Sequence, residues 1–283
     1  MLAVRTLRKD TVKIPESWAI GTKGRLIYPI PDHLPLPNDQ YFFLGILRGS
    51  GSMYKRCKKL NYNFYYADHA YFFNDSFPKT SCYRITKNNH VNTKIFECKS
   101  DRYEKFSSSK IQKWHSNDGN NILILPPDYY MCKFTNNFSW LENTINIIKK
   151  HTDRNIVIRE RPVPESFYEK LPIKPKKFKD IEYSKQNLLD DLKQARCLVT
   201  FNSVVSIEAL NLGIPVFTNS FYCPAFHLSR NNFEKIEDPY LPDNREELFF
   251  SLAYSQYTLD EIKSGDAYRM IEEIDILKKP LIR

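Results

Sequence analysis

The stretch Cys197–Phe217, CLVTFNSVVSIEALNLGIPVF, constrains the fold of this chain more than any other. An apolar run, Cys197–Phe201, reads as a short buried strand. A polar turn with Asn202, Ser203 and Ser206 follows, and helical spacing over Val205–Leu212 is stopped by Gly213. A second apolar run, Ile214–Phe217, resumes around Pro215. Strand, turn, helix and strand make a βαβ unit with a right-handed crossover, which places the chain in the α/β class. Small polar residues in the first helical turn leave N–H groups aimed at the strand ends, an anion site suited to phosphate. Glu208 lies one turn on, where a carboxylate accepts hydrogen bonds from sugar hydroxyls. An ordinary capped crossover helix with a solvated Glu208 fits the pattern equally well.

A resemblance separates the two. Glu208-Ala209-Leu210-Asn211-Leu212-Gly213-Ile214-Pro215-Val216 resembles the E-A-x-x-x-G-x-P-V signature in the donor half of GT-B glycosyltransferases. Thr200-Phe201-Asn202-Ser203-Val204-Val205-Ser206 resembles, more narrowly, the T-x-N-S-x-x-x-x-E-A form of capsule-type Kdo transferases. In that family the Ser-rich turn holds the donor's phosphate and the glutamate its ribose. The resemblance therefore implies two Rossmann-like domains with C-terminal helices, a nucleotide sugar as co-substrate and no other cofactor. It also implies donor contacts from Asn202, Ser203, Ser206 and Glu208, and says little about the acceptor.

With 283 residues, 42% hydrophobic and 27% charged, the chain is long enough for two compact domains with real cores. No window approaches a membrane-spanning length, and the N-terminus lacks a signal-peptide core, so a cytoplasmic protein is expected. The six cysteines contain no C-x-x-C pair and read as free thiols, and the scattered His and Cys lack metal-ligand spacing. No D-x-D motif occurs, which suits a metal-independent transfer. Net charge is +9, and residues 1–118 hold 20 basic against 10 acidic residues, the rest being nearly balanced. A basic half beside a neutral one suggests a polyanionic partner, although Lys-rich composition alone also produces such a bias.

Along the chain, residues 1–24 read as an irregular basic arm. Leu26–Ile30 and Tyr41–Leu47 read as strands, the second leading into Arg48-Gly49-Ser50-Gly51-Ser52. A basic amphipathic helix, Met53–Leu60, then carries Lys55, Arg56 and Lys58. The fork of Arg48 suits a phosphate or carboxylate, and Gly49, Ser50, Lys55, Arg56 and Lys58 are acceptor-binding candidates. The strand Phe64–Ala67 ends in Asp68-His69, a carboxylate and an imidazole where open α/β sheets place their sites. Asp68 is the candidate base for an acceptor hydroxyl and His69 its orienting partner, against a capping Asp and a structural His. Hairpin strands are expected at Cys82–Thr86 and Lys94–Cys98. Arg84 lies inside the first of these, so it faces a cleft or a partner carboxylate. The segments around G-I-L-R-G, D-H-A-Y-F and C-Y-R-I-T resemble phage-encoded glycosyltransferase-like proteins.

Trp114–Asn121 reads as the interdomain linker, Ile122–Leu125 and Asn155–Ile158 as strands, and Ser139-x-x-Glu142 as a capping box. Arg159 and Arg161 follow the second strand, resembling a V-R-x-H-P-like segment of the capsule enzymes with Arg161 in the histidine's place. They join the donor set with His227, which lies in a loop that folds over the donor. Two helices, Glu246–Ser255 and Leu259–Ile276, close the chain. The expected division is an acceptor domain 1–118, a donor domain 119–250 and a helical segment 251–283, of the kind that in GT-B enzymes often crosses back to the first domain. Two acceptors remain open: DNA with hydroxymethylated bases, favoured by the basic half and the phage-like segments, and a bacterial envelope glycan. A catalytically inactive nucleic-acid-binding module of the same fold is the third reading.

Overall fold

A computed structural model of the chain describes residues 1–6, 11–31, 33–46, 50–92, 94–115, 119–164, 166, 170–174 and 176–277. The chain divides into two compact units, Met1–Ser108 with Glu246–Arg283, and Ser109–Arg245. Each is a mixed α/β body built on one sheet, the two Rossmann-like halves of a GT-B-like fold.

The first unit holds β1 (Leu2–Val4), β2 (Arg25–Ile27), β3 (Tyr41–Leu44), β4 (Phe64–His69), β5 (Cys82–Lys87) and β11 (Gln256–Thr258). The sheet order is β11-β5-β4-β3-β1-β2. β2, β1, β3 and β4 run parallel, and β5 and β11 add antiparallel. The described residues of the stretch 1–24 are not an irregular arm. Leu2, Ala3 and Val4 are all buried in β1, and helix α1 (Lys13–Gly21) inserts Ile14 and Trp18 into the core. Trp18 stacks on Phe42 with ring centroids 4.6 Å apart, so local basic charge was outweighed by one aromatic anchor. Helix α2 (Gly51–Leu60) buries Met53, Tyr54 and Cys57 and turns its lysines outward, as its amphipathic spacing requires.

No hairpin forms between Cys82–Thr86 and Lys94–Cys98. β5 pairs with β4 on one side and with β11 on the other, the latter arriving from the chain's C-terminal part. The expected pair of terminal helices is instead helix Arg245–Ala253, strand β11, and helices Leu259–Ser264 and Asp266–Leu277. Polar groups fasten this segment. The buried Gln256 carboxamide accepts from the N–H groups of Tyr71 and Phe72, both at 2.9 Å, and donates to the Phe72 carbonyl at 2.8 Å. The buried Arg102 pairs with Glu261 at 2.9 Å and donates to the carbonyls of Ala253 and Gln256. Lys87 meets Glu272 at 2.9 Å and Asp275 at 3.1 Å.

The second unit holds β6 (Asn121–Leu125), β7 (Ile156–Ile158), β8 (Glu182–Tyr183), β9 (Ala195–Thr200) and β10 (Val216–Phe217). They lie in the order β10-β9-β6-β7-β8, all parallel. Relabelled in order along this unit, the strands run 3-2-1-4-5 across the sheet, the doubly wound arrangement whose ligand crevice opens where the winding reverses. Here that point lies between β6 and β9. The stretch 197–217 folds as its pattern requires, with helix Val205–Asn211 between parallel β9 and β10. Gly213, at φ +78°, ends it, and a Cβ there would lie 1.9 Å from the Lys113 carbonyl.

The capping box expected at Ser139 is absent. Ser139 has helical rather than extended backbone angles, so its hydroxyl makes no cap bond, and Glu142 pairs with Lys176 at 2.5 Å. A true capping box joins Thr258 and Glu261 instead.

Candidate functional site

The crevice of the second unit is bounded by the C-terminal ends of β6 and β9. The buried Thr200 donates to the Leu125 carbonyl at 2.9 Å, locking the two ends together. Beyond them, Asn202 and Ser203 are half-buried, and the Ser203 hydroxyl accepts from the Val205 N–H at 3.2 Å. The Ser206 hydroxyl is engaged within the fold. Ser206 is fully buried, donates to the Ser203 carbonyl at 2.7 Å and accepts from the Cys223 thiol at 3.4 Å, so its hydroxyl holds the turn and the following loop together. Ile207, Ala209 and Leu210 fill the core side of the helix, leaving Glu208 half-buried on the outer side.

The two arginines after β7 part company. Arg159 pairs with the buried Asp191 at 2.5 Å and donates to the Gln186 carbonyl at 2.7 Å, a tie that anchors helix Leu188–Gln194. Arg161 is 69% exposed and reaches Asp128 at 3.4 Å. Asp128, three residues beyond β6, caps helix α3 (Tyr129–Thr135) by accepting from the Met131 N–H at 2.8 Å. An Asp after Pro126-Pro127, just ahead of a helical stretch, is a cap signal visible in the sequence. His227 is exposed in the short 3₁₀ turn Phe226–Leu228.

In the first unit, register sets Asp68 on β4 directly opposite Arg84 on β5. The Asp68 carboxylate accepts from the Tyr66 hydroxyl at 2.7 Å, from the His69 N–H at 2.8 Å and from the Arg84 guanidinium at 3.4 Å. Burial pushes its carboxyl up, but Arg84, His90, Tyr66 and the His69 N–H outweigh it and hold the pKa at about 2. Arg84 is 4% exposed. Burial favours its neutral form, yet Asp68 and the flanking Tyr71 and Tyr66 raise its pKa, and its guanidinium lies 5.3 Å from the Tyr71 ring centre. The expectation that Arg84 meets a carboxylate is met by Asp68. The imidazole beside that carboxylate is His90 rather than His69. Strand alternation points the exposed His69 to the other face, while the buried His90 stacks on Tyr66 at 4.7 Å. Burial, then Arg84, lowers the His90 pKa to about 3, so it is neutral.

Among the other acceptor-side candidates, Arg48 and Gly49 lie outside the described residues. Ser50 is buried and donates to the Gly45 carbonyl at 2.7 Å, so its hydroxyl points inward. Lys55, Arg56 and Lys58 are exposed on α2, and Lys58 reaches the Asn88 carbonyl at 3.1 Å. The charge asymmetry shrinks once the chain folds. The unit that gains residues 246–283 holds 23 basic and 17 acidic residues, and the other holds 19 and 16. Residues 246–283 are net acidic, and Glu261, Glu272 and Asp275 pair with Arg102, Lys87 and Lys94 of the basic half.

Among the described residues no His, Cys, Asp or Glu cluster has a metal-binding arrangement, and no helix is long and apolar enough to cross a membrane. No protein-family model matches the sequence, and comparison with curated proteins finds no match. Solved structures do match. The β-Kdo 2,7 transferase of Thermosulfurimonas dismutans KpsC is 10% identical with a TM-score of 0.44, over 96% of this chain and 99% of that one. The β-Kdo 2,4 transferase of the same KpsC is 11% identical with a TM-score of 0.50, over 96% of this chain and 98% of that one. At that identity the second match shows a shared fold.

Proposed function

We propose that the protein is a glycosyltransferase that moves a sugar from a nucleotide-sugar donor to a hydroxyl of a glycan. The observation that carries the reading is the switch point of the second unit, where the half-buried Asn202–Ser203 turn follows β9 and Asp128, paired with Arg161 at 3.4 Å, follows β6. Glu208 accepts from the ribose hydroxyls, the Asn202–Ser203 turn cradles the phosphate with its main-chain N–H groups, and Arg161 leaves Asp128 to offset the leaving group's charge. Holding the phosphate with such donors needs no metal, in keeping with a sequence that lacks D-x-D. Asp68 takes the proton from the acceptor hydroxyl. In the ligand-free pair with Arg84 it is ionised but weakly basic, so that role requires the acceptor to loosen Arg84's hold.

A glycan acceptor is favoured over hydroxymethylated DNA on two grounds. The fold is shared with an enzyme described as a Kdo transferase, and residues 246–283 reduce the basic excess of their unit, leaving 23 basic against 17 acidic residues. The test is incubation with a panel of nucleoside mono- and diphosphate sugars, with glycan or hydroxymethylcytosine DNA as acceptor. Release of one nucleotide with a glycosylated glycan is expected. A glycosylated nucleoside detected by mass spectrometry would restore the DNA reading, and no consumption of any donor would defeat the enzyme reading.

A further inference from the structure

The loop after β10 is anchored on both sides of one exposed ring. Ser220 is buried, its N–H donates to the Thr218 hydroxyl at 3.3 Å, and its own hydroxyl accepts from the Tyr222 N–H at 3.2 Å. The Tyr222 ring lies nearly parallel to Phe201, 6.2 Å away, and meets Phe134 edge-on at 6.0 Å. The buried Cys223 donates to Ser206 at 3.4 Å, which sets this loop against the Asn202–Ser206 turn. Between these anchors Phe221 is 70% exposed, more than any other large hydrophobic side chain among the described residues. It is not loose, because its ring rests 4.3 Å from that of Phe226, itself fixed in the 3₁₀ turn. A lone exposed phenylalanine needs no explanation, but one held rigid by its neighbours beside a ligand crevice offers a preorganised flat face.

Resting on the nucleotide-sugar reading of this crevice, we propose that Phe221 is the platform on which the donor's nucleobase stacks. Its place fits the division of labour along the chain. Glu208 and the Asn202–Ser203 turn take the polar ribose and phosphate. The planar, weakly polar base then meets the apolar ring on the adjoining loop. Stacking accepts any base, since every base has a π-face, so Phe221 supplies affinity and orientation rather than the choice of base.

The test is calorimetric titration of free nucleotides, without a sugar, into wild type, Phe221→Ala, Phe221→Trp and Glu208→Ala. For the nucleotide that wild type binds, Phe221→Ala should lose affinity by about ten- to a hundredfold, while Phe221→Trp should retain it with quenching of the new indole fluorescence. Pyrophosphate, which has no base, should bind wild type and Phe221→Ala alike. Unchanged nucleotide affinity in Phe221→Ala, with Glu208→Ala still weakened, would overturn the stacking role and leave the donor site standing. A loss seen only with the intact nucleotide sugar would overturn it too, by placing the ring against the sugar. A wild type that binds no nucleotide would overturn the reading of the crevice, and this inference with it.

Discussion

Asp68→Asn should destabilise the first unit substantially at neutral pH, whatever it does to turnover. The fall of the Asp68 pKa from 3.8 to about 2 means that the folded state prefers the carboxylate, and at ~1.36 kcal/mol per unit this is worth about 2.5 kcal/mol. The asparagine forfeits that term and strands Arg84, which is 4% exposed and loses its carboxylate partner. Breaking a fully buried pair from one side costs about 3–5 kcal/mol, and with the Asp68 side chain 23% exposed the expected loss lies toward the lower end, about 2.5–3 kcal/mol. A urea titration at unchanged m reads it directly. The double variant Asp68→Asn/Arg84→Met should recover at least about 1 kcal/mol, because the stranded charge goes with the arginine. The folded pKa lies below the unfolded one, so the contribution is complete above the unfolded value and is lost only as pH falls through about 2. The deficit of Asp68→Asn should therefore be constant between about pH 6 and pH 8. A variant within ~0.5 kcal/mol of wild type, or a double variant no more stable than the single, would refute the mutual dependence of buried Arg84 and half-buried Asp68. At a temperature where both proteins are folded, the base reading further expects turnover to fall by about 10²–10⁴.

Three further expectations rest on other groups. His90 is held neutral with a pKa of about 3, below its unfolded value, so wild-type stability should fall as pH drops from about 6.5 toward 5, by up to ~1.4 kcal/mol per unit. His90→Phe should flatten that slope in urea titrations across this range, and an equally steep slope would show that another group carries it. Asp68, already ionised, should give no acid limb in kcat/KM between about pH 5 and 8; a limb there that disappears in Asp68→Asn would mean its pKa is far higher than the ion pair implies. Thr258→Ala should cost about 1 kcal/mol through loss of the capping box, while Ser139→Ala, which breaks no cap bond, should stay within about 0.5 kcal/mol by thermal unfolding.

How much of this was legible in the sequence depended on how local the signal is. The βαβ unit at 197–217 was readable because strand, turn, helix, glycine stop and strand are consecutive and each step has a local cause. The N-terminal strand and helix were missed because three apolar residues and one tryptophan sit among basic ones, and their core partners Phe42 and Tyr65 are distant in the chain. The antiparallel edge at β5 was misassigned for a similar reason, since its second partner lies some 170 residues later. Arg84 was read well, as a buried charge demands a partner, yet the identity of that partner depended on the β4–β5 register. The same register selects His90 over His69 beside Asp68. Ser206 was assigned to a ligand because a serine in such a turn has two uses, and only packing shows that the Ser203 carbonyl and Cys223 claim its hydroxyl. The half-by-half charge count misled because it assumed that a segment's charge stays with its neighbours in sequence.

A nucleotide-sugar site at the β6–β9 switch point is tested by the donor affinity of wild type and Glu208→Ala in titration calorimetry. A hydrogen bond to a charged group is worth about 1.5–3 kcal/mol, so wild type should bind one member of a nucleotide-sugar panel and Glu208→Ala should bind it about ten- to a hundredfold more weakly. Equal affinity in the two proteins would remove Glu208 from the donor site, and no binding by either to any nucleotide sugar would exclude a nucleotide-sugar site here.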